Sequence, residues 1–200
     1  MEQEFEVNEY QLVIEPHESL QKEVELIKRD FAEEFPLSTT SDKPRLTILR
    51  FSHYHSSENQ LLSRFKKLSG ILSSCKLELR DFGSQPSHTI FLKIVSRKHI
   101  DALTRQLKTE MQRFLKIDDD HKPFFIPDPQ ITIARNIPER QFENAWLKYR
   151  NTSFTGRFIA EEMKLMKRNK INQPYKYLLK IPLSGDHPRN KQFTLFDDEN

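Results

Sequence analysis

The chain has very little of several things that would announce a chemistry. Its only cysteine is Cys75, so it can form no internal disulfide and no cysteine-based zinc site. It has only four glycines, Gly70, Gly83, Gly156 and Gly185. No two of them have the spacing of a dinucleotide fingerprint or a P-loop, which excludes the common glycine-rich phosphate cradles. No apolar run approaches the 18 residues that a membrane-spanning helix needs, so no membrane association is expected. The opening Met1-Glu2-Gln3-Glu4-Phe5-Glu6 is acidic and lacks the apolar stretch of a signal peptide, and a cytoplasmic location is expected. Charge of one sign is not in excess either. The net charge is +3 and the pI near 8.9, which permits an anionic partner without demanding one.

What is present suits a folded protein. Hydrophobic residues make up 36% of the 200, with fifteen phenylalanines, enough to bury a core without disulfide or metal staples. Tyr10 to Glu15 reads as a strand closed by Pro16. Ser19 to Phe35 carries Leu20, Val24, Ile27, Phe31 and Phe35 at helical spacing, and Pro36 ends it. Arg45 to Phe51 reads as a strand and Glu58 to Ser73 as a helix. Leu77 to Phe82 and Thr89 to Val95 read as a hairpin turned at Gly83-Ser84-Gln85-Pro86-Ser87, and Ile100 to Leu115 as a helix. Asp118 to Asp128 is a polar loop punctuated by proline. Gln130 to Asn136 is a further strand, and Pro138 opens a helix at its first position. Phe154 to Arg168 is ambiguous, because Glu161-Glu162-Met163-Lys164-Leu165-Met166 favours helix by propensity while its place before the strand Tyr175 to Ile181 favours a hairpin.

One heptapeptide recurs. Pro44-Arg45-Leu46-Thr47-Ile48-Leu49-Arg50 aligns with Pro129-Gln130-Ile131-Thr132-Ile133-Ala134-Arg135 at an offset of 85 residues, with Pro, Thr, Ile and Arg identical. Side chains alternate along a strand, so Arg45 shares a face with Thr47, and Gln130 with Thr132. Leu46, Ile48, Ile131 and Ile133 point the other way, into a core. The expected fold is therefore α+β. It has two pseudo-symmetric lobes of antiparallel-rich sheet, with outer helices, around a central cleft faced by both polar strand surfaces. One bilobal domain over residues 1–183 is expected, followed by a polar tail, 184–200.

In this order and spacing the segments resemble the two-histidine phosphoesterase superfamily, in its 2′-5′ RNA ligase-like and cyclic phosphodiesterase branch. The resemblance runs from Tyr10 to Leu183. It includes Leu12-Val13-Ile14-Glu15-Pro16, the repeat strands, Thr89-Ile90-Phe91-Leu92, Phe125-Ile126-Pro127-Asp128 and the closing Tyr175 to Leu183. It implies a phosphate held by two H-x-[TS] motifs, whose histidines move the protons. Here Arg45 stands at the first histidine position and Gln130 at the second, while Thr47 and Thr132 keep the partner positions. Arg stays protonated and Gln does not titrate, so neither replaces imidazole as a proton carrier. Each lost acid or base removes roughly 10²–10⁴-fold of rate. The expectation is a pseudoenzyme with no catalytic residue at these positions, no cofactor and no metal. It would bind a nucleotide or RNA-end phosphate through Arg45, Thr47, Gln130 and Thr132. The alternative is an active RNA ligase or cyclic phosphodiesterase using displaced residues.

His53 and His55 are the candidates for that displacement, or for metal ligation, against a plainer reading as exposed turn histidines. His88 reads as structural. Asp118, Asp119, Asp120 and His121 lack the calcium-loop glycine and terminal glutamate. Lys164, Lys167, Arg168 and Lys170, with Tyr175 and Tyr177 behind them, suit either a single-stranded nucleic-acid path or a solvated edge strand. In the tail, Gln192-Phe193-Thr194-Leu195-Phe196 resembles the short peptide by which bacterial proteins dock on the DNA sliding clamp, with Gln192, Phe193, Leu195 and Phe196 as contacts. The alternative is that this peptide folds back on its own domain.

Overall fold

The structure is a computed structural model, and it describes residues 6–38, 43–169 and 173–185. Nine strands and four helices are described, in the order β1 (Val7–Ile14), α1 (Glu18–Glu34), β2 (Leu46–Tyr54), α2 (Glu58–Lys67), β3 (Cys75–Gln85), β4 (Thr89–Ile94), α3 (Arg97–Leu115), β5 (Phe124–Phe125), β6 (Ile131–Ala134), α4 (Glu139–Tyr149), β7 (Thr155–Ala160), β8 (Glu162–Arg168) and β9 (Lys176–Pro182). They form two antiparallel sheets, ordered β5-β2-β1-β8-β9 and β6-β4-β3-β7. The α+β class and the two-sheet architecture agree with the sequence reading.

The sheets are not sequential halves of the chain. The carboxy-terminal β8 and β9 complete the first sheet, beside β1, and the early hairpin β3-β4 forms the middle of the second. Helices cross over too. α1 follows β1 of the first sheet but packs against β6 of the second. Gly156 on β7 lies close against the start of the helix, where a Cβ would come within 2.8 Å of Leu20 Cδ1. Phe31 of α1 meets Tyr149 of α4 at 5.2 Å between ring centroids, and Tyr149 meets Phe82 of β3 at 4.9 Å. Under the first sheet, Tyr10 stacks on Phe51 at 5.1 Å and Phe51 on Phe65 of α2 at 5.8 Å. Tyr10, Phe31 and Phe65 are fully buried, which makes these aromatic chains the keels of the two lobes.

Some local readings are corrected, and the one left open is resolved. The helix expected to Ser73 ends at Lys67 and tightens into a 3-10 turn over Leu68–Gly70. Ser73 then bridges to Ser184, and Gly185 N–H donates to Leu72 carbonyl at 2.9 Å, so the first two tail residues are held to the body. Pro138 sits just before α4 as its N-cap instead of inside the first turn. The ambiguous segment becomes two strands, β7 and β8, in different sheets. Strict burial alternation in β7 and the burial of Met163 and Leu165 between β1 and β9 outweigh the helix propensity of Glu161 to Met166. β8 lies between β1 and β9, so the edge-strand reading of its lysines does not hold. No described helix is long and apolar enough to cross a membrane. The expected docking peptide Gln192 to Phe196 lies outside the described residues.

Candidate functional site

The two copies of the repeat face one cavity of about 740 Å³ between the sheets. Each copy bends at the same place. In β2, Val13 of β1 pairs with Thr47 while Leu12 pairs with Leu49, which leaves Ile48 as the extra residue of a β-bulge. In β6, Phe91 of β4 pairs with Thr132 while Ile90 pairs with Ala134, and Ile133 is the extra residue. Ile48 and Ile133 are the matching isoleucines of the repeat, and both are fully buried.

The bulge has a chemical consequence. Simple alternation from Thr47 would send Arg50 to the opposite face. With one residue inserted, Arg50 pairs with Gln11 and comes round to the side of Thr47. The second bulge does the same for Arg135 relative to Thr132. Arg45, Thr47, Arg50, Gln130, Thr132 and Arg135 all line the cavity. The four residues singled out in the sequence are thus brought together. The two repeat arginines were visible there as identities, but their direction was set by the bulges.

The walls add charge and hydrogen-bonding groups. Gln85 of β3 donates to Gln130 Oε1 at 3.4 Å, which orients that amide. Glu9 accepts from Arg168 Nε at 2.8 Å and from the Tyr175 hydroxyl at 3.2 Å, and the Arg168 guanidinium lies 4.6 Å from the Tyr175 ring centroid. Arg168 and Tyr175 of the proposed nucleic-acid path therefore do reach the cleft. Lys164 and Lys167 are engaged elsewhere, with Glu15 at 2.6 Å and Glu58 at 2.5 Å.

Among the described residues positive charge dominates the lining, with seven Lys and Arg against the carboxylates Glu9, Asp120 and Asp128. Glu9 is taken by Arg168, and Asp128 by Arg97 at 2.8 Å. The least expected member is Lys28, on the buried face of α1 and only 5% exposed. Burial, and then the nearby guanidiniums of Arg135 and Arg45, push its amine down to about 8. Burial also lowers the pKa of Arg45, opposed by Glu15 and Tyr175. A cation held among cations in a partly dry cleft is an arrangement suited to anions. The sequence carried a signal for it: Lys28 falls four residues after Val24 and three before Phe31, inside an otherwise apolar stripe.

The other histidine candidates separate from this site. His53 is buried on the core face of β2, opposite the cleft, with its ring 5.7 Å from that of Phe114 and its Nδ1 without a hydrogen-bond partner. It is neither an exposed turn residue nor a cleft residue, and burial lowers its pKa. His55 is exposed beside Asn8 and Lys167. His88 stacks on Phe142 at 4.8 Å in the β3-β4 turn, as a structural residue does. His121 does line the cavity, in a loop where Asp118 accepts from its backbone N–H at 2.7 Å and contacts Nδ1 at 2.9 Å. Among the described residues no three His, Cys, Asp or Glu side chains cluster closely enough to hold a metal ion.

The chain belongs to the 2′-5′ RNA ligase superfamily, whose family model matches residues 16–172. Its fold is shared by several solved structures. The crystal structure of TT0787 of Thermus thermophilus is 17% identical, covers 90% of this chain and 100% of its own, and superposes with a TM-score of 0.66. Escherichia coli LigT complexed with 3′-AMP is 18% identical over 90% of this chain and 99% of its own, with a TM-score of 0.60. A phosphoesterase crystal structure is 19% identical over 88% and 99%, with a TM-score of 0.59. At these identities the likeness concerns the fold. No curated protein matches the chain by sequence.

Proposed function

We propose that the protein binds a nucleotide or RNA-end phosphate in the cleft between its two sheets, without the two-histidine proton relay. The observation that carries this reading is the convergence of Arg45, Arg50, Arg135 and Lys28 with Thr47, Thr132 and Gln130 on one cavity. Guanidinium groups present paired N–H donors that match phosphate oxygens, and threonine hydroxyls complete such a shell. The same residues offer nothing at the repeat positions that exchanges a proton near neutral pH. Nucleotide complexes of LigT with 3′-AMP and ATP make this ligand class a reasonable starting point.

The test is calorimetric titration with 3′-AMP. A charge-assisted hydrogen bond contributes about 1.5–3 kcal/mol, so Arg45→Ala should weaken binding about tenfold or more. In parallel, the protein should not open 2′,3′-cyclic nucleotides at a rate that depends on Gln130. Unchanged affinity in Arg45→Ala would remove the binding reading, and a robust rate lost in Gln130→Ala would remove the non-catalytic one.

A further inference from the structure

The bulge in β2 acts one strand further out. β5 lies at the edge of the first sheet, where Arg50 pairs with Phe124 and Leu49 with Phe125. Ile126 N–H then donates to the carbonyl of Ile48, the bulge residue itself, at 2.9 Å. Residues directly opposite on an antiparallel pair project to the same face. Phe125 therefore follows Leu49 toward the core, where it packs partly buried. Phe124 follows Arg50 into the cleft and is 58% exposed.

The core gains nothing from Phe124. A phenylalanine exposed singly on an outer surface would need no explanation. Phe124 instead stands on the cavity wall, with Ile126 and Pro127 beside it in the lining. Its backbone is fixed by the ladder to β2, so the ring is a flat apolar surface held next to Arg50. A bare phosphate has no apolar part and no use for such a surface. A nucleotide has a charged part and a flat aromatic part joined by one ribose, so the groups that receive them must lie side by side. Cross-strand neighbours have Cβ atoms about 4.5–5.5 Å apart, which is close enough for one nucleotide to meet both. Resting on the phosphate-binding reading above, we propose that Phe124 is a nucleobase platform, on which the base of a bound nucleotide stacks while its phosphate is held from Arg50 and Thr47 on the neighbouring strand. Every base has a π-face, so the platform accepts any of them. The cleft then selects nucleoside phosphates over phosphates that carry no aromatic group, and Phe124 is the residue that makes the distinction.

The probes are 3′-AMP and inorganic phosphate, titrated calorimetrically at pH 7.5 into the wild-type chain and into Phe124→Ala and Phe124→Tyr. The wild type should bind 3′-AMP about fivefold or more tightly than inorganic phosphate, as the stacking of one base on an aromatic side chain implies. Phe124→Ala should remove about that factor from 3′-AMP and leave inorganic phosphate within about twofold of the wild type. Phe124→Tyr keeps an aromatic face and should keep the preference. Undiminished 3′-AMP affinity in Phe124→Ala overturns the proposal while leaving phosphate binding intact. An equal loss for both probes overturns it too, because the ring would then shape the phosphate site and not receive a base. If Phe124→Tyr loses as much 3′-AMP affinity as Phe124→Ala, stacking is refuted. If neither probe binds the wild type, both this proposal and the reading beneath it fall. Should a variant fail to fold, equal wild-type affinities for the two probes still overturn the proposal.

Discussion

Replacing Lys28 with methionine should make the protein more stable at neutral pH, although it should weaken the cleft. The amine is held at about 8 in the folded chain, against 10.5 for an ordinary lysine. One pKa unit corresponds to about 1.4 kcal/mol, so the fold carries a penalty on the order of 3 kcal/mol while both states are protonated. Methionine has a similar reach and fills the same apolar face between Val24 and Phe31 without a charge. For a chain of this length such a gain raises the melting temperature by several degrees, at roughly 2–4 °C per kcal/mol. The pH dependence makes the cause identifiable. Below about pH 8 the penalty is present in full. From there to about 10.5 the folded chain has released the proton that the unfolded chain retains, so wild-type stability rises relative to the variant. Above 10.5 the amine is neutral in both states and the wild type gains no further on the variant. Denaturant unfolding of both chains at pH 7, 8, 9 and 10 reads this directly, because other titrations are common to the two. A methionine variant less stable than wild type at pH 7, with a difference independent of pH, would refute the reasoning.

Two further outcomes follow from the core. Phe65→Ala should destabilise by about 3–5 kcal/mol, because the ring is fully buried beneath Phe51, and thermal melting against the wild type checks it. His53, whose pKa is lowered by burial, takes up its proton at lower pH in the fold than in the unfolded chain, where an imidazole titrates near 6.5. The wild type should therefore lose stability relative to His53→Phe as the pH falls from 7 to 5, and parallel curves over that range would contradict it.

How far the sequence could be read depends on how local each signal is. The stripe Leu20, Val24, Ile27, Phe31 and Phe35 is a 3.6-residue period, and α1 formed within a residue of the expected bounds. The β3-β4 hairpin was legible for the same reason, since both strands are contiguous with their turn, although Gly83, Ser84 and Gln85, read as turn, extend β3 and pair with Phe91, Ile90 and Thr89. The repeat was also legible, because two copies of one heptapeptide can be compared without knowing how either one pairs. Thr47 and Thr132 came to one cavity, as that comparison implied.

What the sequence determined by itself was therefore the set of elements and the two strands that carry polar groups to a common cleft. Pairing decided the rest. A bulge exists only relative to a partner strand, so no period in β2 or β6 alone could turn Arg50 and Arg135 toward the threonines. Propensity in Glu161 to Met166 pointed to helix until β1 and β9 offered both edges of β8 a ladder. Lys28 looked like a flaw in an apolar stripe until α1 crossed to the second sheet and set its amine in the cleft wall, near two arginines far away along the chain. Local periodicity records what each segment can bury, whereas the field inside a cleft is a sum over groups that only tertiary packing brings within reach of one another.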